Sequence, residues 1–309
     1  MDPQGPTHTR RIAMINQKGG VGKTTTTVNV SAALARMGNR VLILDLDPQA
    51  HATLHLGIHT DKHPGTVYDL LSDPNLDPSA VVTQARPNLD IIASETDLAA
   101  VEGELSLKPD RTRRLRFALD RIAPDYDYIV LDCPPSLGLL TINALAASDE
   151  IIIPMQAHFL ALQGVGKLLE TVDRVSSKIN PALRVSGIVL CAHDLQASHT
   201  QEVVQDLRRF FQSAHATGKP WSGGRVFEPP IRRNIKLAES PGFGQTIFEY
   251  APNAAGARDY RALAESIAAT PQQRVEQPAR AQSEPPTIEV RTPEPAGATP
   301  EPGPCASSA

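Results

Sequence analysis

The chain is poor in aromatic residues and in cysteine, leans to neither sign of charge, and has no long apolar run. Aromatics make up 4% of its 309 residues. A core with so few rings must be filled by Val, Ile, Leu and Ala, which suits a parallel sheet covered by helices on both faces. Cysteine occurs at Cys133, Cys191 and Cys305, with no CxxC spacing. That excludes a disulfide framework and fits thiols held in a reducing compartment. The formal net charge is -4. Bulk charge therefore gives no sign of nucleic acid, and any basic surface must be local. The polar stretch Met1 to Arg10 has no apolar stretch of signal-peptide type. Runs such as Ile151-Ile152-Ile153 fall far short of the ~20 residues that span a bilayer. A cytoplasmic protein is expected.

What is present is an alternation of strand and helix signals. Arg11 to Asn16 is a short apolar run that ends at a glycine-rich loop. Thr24 to Met37 follows as a helix with a small-residue face, closed by Gly38 and Asn39, and Arg40 to Asp45 reads as a second buried strand. Together these make a βαβ unit with a right-handed crossover. The pattern continues with strands at Leu89 to Ala93, Tyr126 to Asp132, Glu150 to Pro154 and Arg184 to Leu190. Helices are expected at Asp110 to Ile122, Leu139 to Ala147, Leu160 to Ile179, Thr200 to Phe211 and Asn253 to Ala268. This predicts one α/β domain with a doubly wound, mostly parallel sheet, spanning residues 11–269. Ala216 to Gly224 reads as an exposed loop. Composition changes near Thr270, and nine prolines fall among the 39 residues from Pro271 to Ala309. Such a segment cannot bury enough apolar surface to offset its ordering entropy, so residues 270–309 are expected to be a disordered tail.

The glycine-rich loop carries the chemistry. Gly22, Lys23 and Thr24 match the second half of G-x-x-x-x-G-K-[ST], but Gln17 stands where the first glycine belongs. Glycines let backbone N–H groups turn toward phosphate oxygens without a Cβ clash, and the helix that follows adds its positive end to the same anion site. Strand, loop and helix are the required context. Lys23 is expected on the β- and γ-phosphates, and the Thr24 hydroxyl on magnesium. Asp132 ends a buried strand where a carboxylate that coordinates magnesium is needed. Asp45 and Asp47 end the second strand; read alone, they also suit a turn. Lys18 is a second loop lysine that a single phosphate site does not require.

The run Lys18-Gly19-Gly20-Val21-Gly22-Lys23-Thr24-Thr25 resembles the deviant Walker A motif of the ParA/MinD ATPases. The resemblance covers about Arg11 to Ile267, and its motifs are most similar to the small chromosomal ParA/Soj type. It implies a P-loop fold that binds ATP and Mg2+, and a homodimer in which Lys18 crosses to the partner's nucleotide. Asp45-Leu46-Asp47-Pro48-Gln49 is similar to the element whose second aspartate is hydrolytic, which makes Asp47 the implied catalytic residue. Asp132 to Gly138 resembles the Walker B stretch, with Asp132 holding magnesium through water. Pro154 to His158 and Ala161 to Gly164 are similar to the next family segment; His158 is given no role. Asp194 to Ala197 lacks an arginine common in the family. Ile231 to Pro241 is similar to I-P-R-N-x-x-L-x-E-x-P, with Asn234 on the adenine side and Arg232 in place of the expected proline. The resemblance implies non-specific DNA binding by the ATP dimer, with Arg232, Arg233 and Lys236 as the basic cluster and Arg208-Arg209 nearby. It also implies hydrolysis stimulated by a ParB-like partner, a nucleoid-associated location, and a role in chromosome or plasmid segregation. A MinD-like membrane ATPase is the alternative, but it needs an amphipathic C-terminal helix, and the proline-rich tail lacks that periodicity. A phosphate-transferring metabolic enzyme, or an iron–sulfur reductase relying on Cys133 and Cys191, accounts for fewer of these motifs.

Overall fold

A computed structural model describes residues 9–59, 64–157, 159–194 and 198–270. The expected tail from Pro271 onward, His158, and Leu195 to Ala197 lie outside the described residues, as does the N-terminal segment up to His8.

Eight strands form one sheet in the order β3-β4-β2-β5-β1-β6-β7-β8. They are β1 (Arg10–Met14), β2 (Val41–Asp45), β3 (Val82–Arg86), β4 (Leu89–Ile92), β5 (Tyr128–Asp132), β6 (Glu150–Met155), β7 (Arg184–Leu190) and β8 (Arg225–Val226). All neighbours are parallel except β3 and β4. The central strands β1, β2, β5 and β6 are buried at every residue. Their middles are apolar on both faces because helices cover both, and their charged residues stand at the strand ends.

Side-chain alternation divides the core in two. Ile12, Met14, Val41 and Ile43 point to one face, where they meet α1 (Lys23–Arg36), α2 (His51–His55), α9 (Ile235–Glu239), α10 (Ile247–Tyr250) and α11 (Ala255–Ala269). Ala13, Ile15, Leu42 and Leu44 point to the other. There they meet α3 (Val67–Ser72), α4 (Val101–Leu105), α5 (Arg114–Ile122), α6 (Leu139–Ala147), α7 (Phe159–Lys178) and α8 (Ser198–Ala214). Each fully buried Leu or Ile contributes about 1.5–3 kcal/mol. At the amino end of β1 the buried Arg10 guanidinium makes a two-bond pair with Glu150, at 2.8 and 2.9 Å, and donates to the Ile267 carbonyl at 2.8 Å. This ties α11 to the sheet.

The predicted α/β class, with its mostly parallel sheet, is the one found. β1 stops at Met14 rather than Asn16, because Asn16 turns out of the strand to bond the loop. α5 begins at Arg114, since Asp110 to Arg113 form a turn closed by an Arg113 N–H to Asp110 carbonyl bond of 2.8 Å. The expected exposed loop from Ala216 to Gly224 is a loop only partly in solvent. Pro220 and Gly224 are buried, the Pro220 carbonyl accepts from Val185 N–H at 2.9 Å, and a Cβ on Gly224 would lie 2.3 Å from the Phe211 ring.

Candidate functional site

In an open α/β sheet, ligands bind beyond the carboxyl ends of the strands, where the chain order reverses. β1 is that place here: its neighbour β5 leads to β2 and β4, and β6 leads to β7 and β8. The loop from Asn16 to Gly22 leaves β1 there. The Asn16 side chain shapes it by donating to the Pro154 carbonyl at 2.8 Å and accepting from Lys18 N–H at 3.0 Å. Gly20 and Gly22 have φ of +70° and +97°, a region that costs an L-residue about 1–2 kcal/mol. A Cβ on Gly19 or Gly20 would meet no atom within 4 Å, so the loop backbone faces open space. A Cβ on Gly22 would press on Cys191 at 3.2 Å.

Gly22 is the N-cap of α1 and offers no capping side chain. The first N–H groups of the helix are thus left for an anion. The two lysines differ in setting. Lys23 is 7% exposed, at the start of α1, whereas Lys18 lies on the exposed rim of the loop.

Two carboxylates, Asp45 and Asp132, end the adjacent strands β2 and β5, and a third, Asp47, follows two residues past β2. Asp132 is fully buried and accepts from the Thr24 hydroxyl at 2.7 Å and from the Thr27 hydroxyl at 2.9 Å. Its register partner Asp45 is equally buried; it accepts from Thr53 N–H at 2.9 Å, the Thr53 hydroxyl at 2.8 Å and Asp47 N–H at 3.2 Å. Burial drives both carboxyls above the usual carboxylate range. For Asp45 the charge of Asp132 adds to this. For Asp132 the bonds from Thr24 and Thr27 and the charge of Lys23 act in the opposite sense, while Asp47 raises it. Asp47 is 8% exposed and near enough to Asp132 for its charge to act on it. Its Oδ1 accepts from Gln49 N–H at 3.0 Å, and its carbonyl accepts from the Ser94 hydroxyl at 2.8 Å. The hydroxyl and carboxylate oxygens of Thr24 and Asp132 are the hard donors that magnesium takes. Among the described residues no separate group of His, Cys, Asp and Glu could hold a metal without such help.

Beside the loop opens a cleft of 350 Å³. Gly20, Val21, Gly22 and Thr25 form its phosphate side; Arg233, Asn234 and Ile235 form the opposite wall. The Asn234 side chain caps α9 by accepting from Lys236 N–H at 2.9 Å. Gln156 reaches across to the Gly20 carbonyl at 3.2 Å.

The structure therefore brings together Lys18, Gly19, Gly20, Val21, Gly22, Lys23, Thr24, Thr25, Asp47, Asp132 and Asn234. It treats the basic cluster differently. Arg232 is engaged by Asp259 at 2.6 Å, and Lys236 by Glu239 at 2.8 Å. Arg208 pairs with Glu228 and Arg209 with Asp206. Arg233 is exposed and has no ion pair among the described residues. Sequence reasoning missed Asn16, Thr27, Asp259 and Tyr260. The Thr24-Thr25-Thr26-Thr27 run was the available signal for Thr27, since positions 24 and 27 share a helix face. Cys133, next to Asp132, is fully buried, and burial pushes its thiol up.

Comparison with known proteins agrees with this geometry. Residues 9–185 match the AAA domain family. The chromosome partitioning protein ParA of Caulobacter vibrioides is 39% identical over 260 residues, covering 84% of this chain and 93% of that one. The sporulation initiation inhibitor protein Soj of Bacillus subtilis is 42% identical over 258 residues, covering 84% and 98%. Among solved structures, cobyrinic acid a,c-diamide synthase of Mycobacterium smegmatis, with bound ADP and magnesium, superposes with a TM-score of 0.69 at 35% identity. It covers 84% of this chain and 94% of that one. A variant of Cyanothece McdA in complex with ATP has a TM-score of 0.72 at 21% identity, covering 85% and 98%, a likeness of fold. The phosphate loop with its second lysine, the strand-ending aspartates and relatives that match over most of their length agree: the chain belongs to the ParA/Soj family of chromosome-partitioning ATPases.

Proposed function

We propose that this chain is an ATP-switched partitioning ATPase that works as a dimer on DNA. The observation that carries the reading is the pair of loop lysines, one buried at the helix start and one on the exposed rim. Lys23 neutralises the β- and γ-phosphates of ATP, and the loop N–H groups bond their oxygens. Magnesium, held by Thr24 and through water by Asp132, would supply further neutralisation of that charge. Lys18 reaches the nucleotide of a second copy when two chains close face to face. Asn234 stands on the adenine side.

Asp47 orients a water for attack on the γ-phosphorus. The bond from that phosphorus to the β–γ bridging oxygen breaks, ADP takes the electron pair, and the water's proton leaves with phosphate. An aspartate already held by its own turn loses little further freedom in that role. Hydrolysis is slow until a ParB-like partner stimulates it, and loss of the γ-phosphate then opens the dimer. Chemistry so acts as a timer for assembly in chromosome or plasmid segregation.

The closed dimer binds DNA without sequence preference. Arg233, exposed and without an ion pair among the described residues, leads this surface. Lys236 joins it by exchanging Glu239 for phosphate, and Arg232 contributes through its exposed edge. No described helix is long and apolar enough to cross a bilayer. The test is a DNA shift assay at low salt with and without ATP. Wild type should shift DNA only with ATP, and Arg233→Glu with Lys236→Glu should lose most of that shift. Undiminished binding by the double variant would reject this surface.

A further inference from the structure

Arg232 lies where the chain passes from the carboxyl edge of the sheet to the wall of the cleft. On one side this passage is fixed by backbone bonds. Ile231 N–H donates to the Leu190 carbonyl at 2.8 Å, His193 N–H to the Ile231 carbonyl at 2.9 Å, and Arg233 N–H to the His193 carbonyl at 3.3 Å. The N–H of Arg232 takes no part in that pairing. It donates instead to Asp259 Oδ2 at 3.0 Å, while Nε of the same residue reaches Oδ2 at 3.0 Å and Nη2 reaches Oδ1 at 2.6 Å. One carboxylate thus holds both the backbone and the side chain of a single residue. The Asp259 side chain is 5% exposed, so few water molecules compete for it.

Asp259 belongs to α11, and its neighbour on that helix faces the other half of the cleft. The Tyr260 hydroxyl lies 3.1 Å from the Thr26 hydroxyl of α1, the helix that opens from the phosphate loop. Tyr260 is 1% exposed. Consecutive residues of one helix therefore fix the phosphate side and the opposite wall at a set spacing.

We propose that the Arg232–Asp259 pair is a positioning device for the nucleotide's base end, holding Arg233 and Asn234 at a fixed distance from the phosphate loop. This rests on reading the cleft as the ATP site. Arg232 borders the cleft, but its guanidinium is turned to Asp259, so the pair acts through the wall that follows it. The wall they hold begins with Arg233, whose backbone is bonded, and Asn234, whose side chain is committed to capping α9. Without the pair the start of the segment keeps only its backbone bonds to Leu190 and His193 and the packing of Leu237 beside Gly256 of α11, and binding a base must order the residues between them again. The part of the ligand that should notice is the base, because the phosphates are gripped by a loop that the pair does not hold.

Removing Arg232 alone leaves Asp259 buried without its partner and endangers the fold, so the test uses two double variants. Arg232→Pro with Asp259→Leu removes the charge while the proline ring fixes φ at this position. Arg232→Gly with Asp259→Leu removes the charge and leaves the passage loose. The full chain is titrated with a ribose-labelled fluorescent ATP, with inorganic tripolyphosphate as competitor, and hydrolysis is followed for KM and kcat. The Pro/Leu variant should bind ATP within about twofold of wild type. The Gly/Leu variant should bind about tenfold more weakly and show a raised KM with kcat nearly unchanged. Tripolyphosphate should bind equally to all three. Wild-type affinity in the Gly/Leu variant, or parallel losses for ATP and tripolyphosphate, would overturn the positioning role. A wild type that fails to bind the ATP probe would instead overturn the nucleotide-site reading beneath it.

Discussion

At the scale of single residues, the site is a set of groups placed where they cost stability. Gly22 combines a φ of +97° with close contact to Cys191. Gly22→Ala should lower stability by about 1–2 kcal/mol and weaken nucleotide binding more than that cost implies, since the same strain moves the N–H groups of the loop. Thermal melts with parallel ATP titration would check it. Asp132 depends on two hydroxyls, and Thr27→Val removes the fully buried one. That variant should lose about 1–3 kcal/mol, because it takes a donor from a buried carboxylate, yet still bind ATP. Most of these residues were legible in the sequence because glycine, lysine and aspartate at fixed spacing have few other uses. Asp259 was not, because its partner is 27 residues away and nothing local marks it. Arg232 and Lys236 looked free for DNA because sequence shows charges and not the carboxylates that meet them.

Among the elements, the short ones carry the coupling. α2 follows directly from the Asp47 turn and ends against the segment between α9 and α10. There the backbones of Gly57 and Gly244 nearly touch; a Cβ on Gly244 would lie 2.7 Å from the Gly57 Cα. Arg86 closes the junction by bonding the carbonyls of Leu56 and Gly244, at 3.3 and 2.8 Å, and pairing with Glu249. Gly244→Ala should therefore cost about 1–3 kcal/mol by denaturant unfolding. His55 is buried in the same junction, with Nε2 unpartnered. Burial lowers its pKa from 6.5 to about 4. The unfolded chain then binds a proton that the folded chain refuses, so stability is full above pH 6.5 and is lost as pH falls toward 4. The loss should reach about 2–4 kcal/mol, and His55→Gln should flatten it in melts taken across that window. None of these short elements was visible in the sequence. Helices of four to six residues complete too few turns to show a period, and β3, half-exposed at an antiparallel edge, lacks the apolar run of its buried neighbours. The long helices and central strands were legible because burial on both sides writes itself into composition.

Over the whole molecule, the parallel sheet gathers the ends of β1, β2, β5 and β7 on one edge, and the cleft, the three aspartates and the exposed Lys18 share it. A site that opens on one edge, with a lysine on its rim beyond the one that a single phosphate site needs, is suited to closure by a second copy. Relatives named for chromosome partitioning match over most of this chain, and closure by a second copy is the step of the proposed mechanism that a measurement should test first. The most direct measurement is the mass of the full chain in solution, by sedimentation or light scattering, with ATP and magnesium, for wild type, Lys18→Ala and Lys23→Ala. Wild type should double its mass with ATP. Lys23→Ala should bind no nucleotide and stay monomeric, and Lys18→Ala should bind ATP yet stay monomeric. A Lys18→Ala chain that doubles its mass with ATP as readily as wild type would contradict the account.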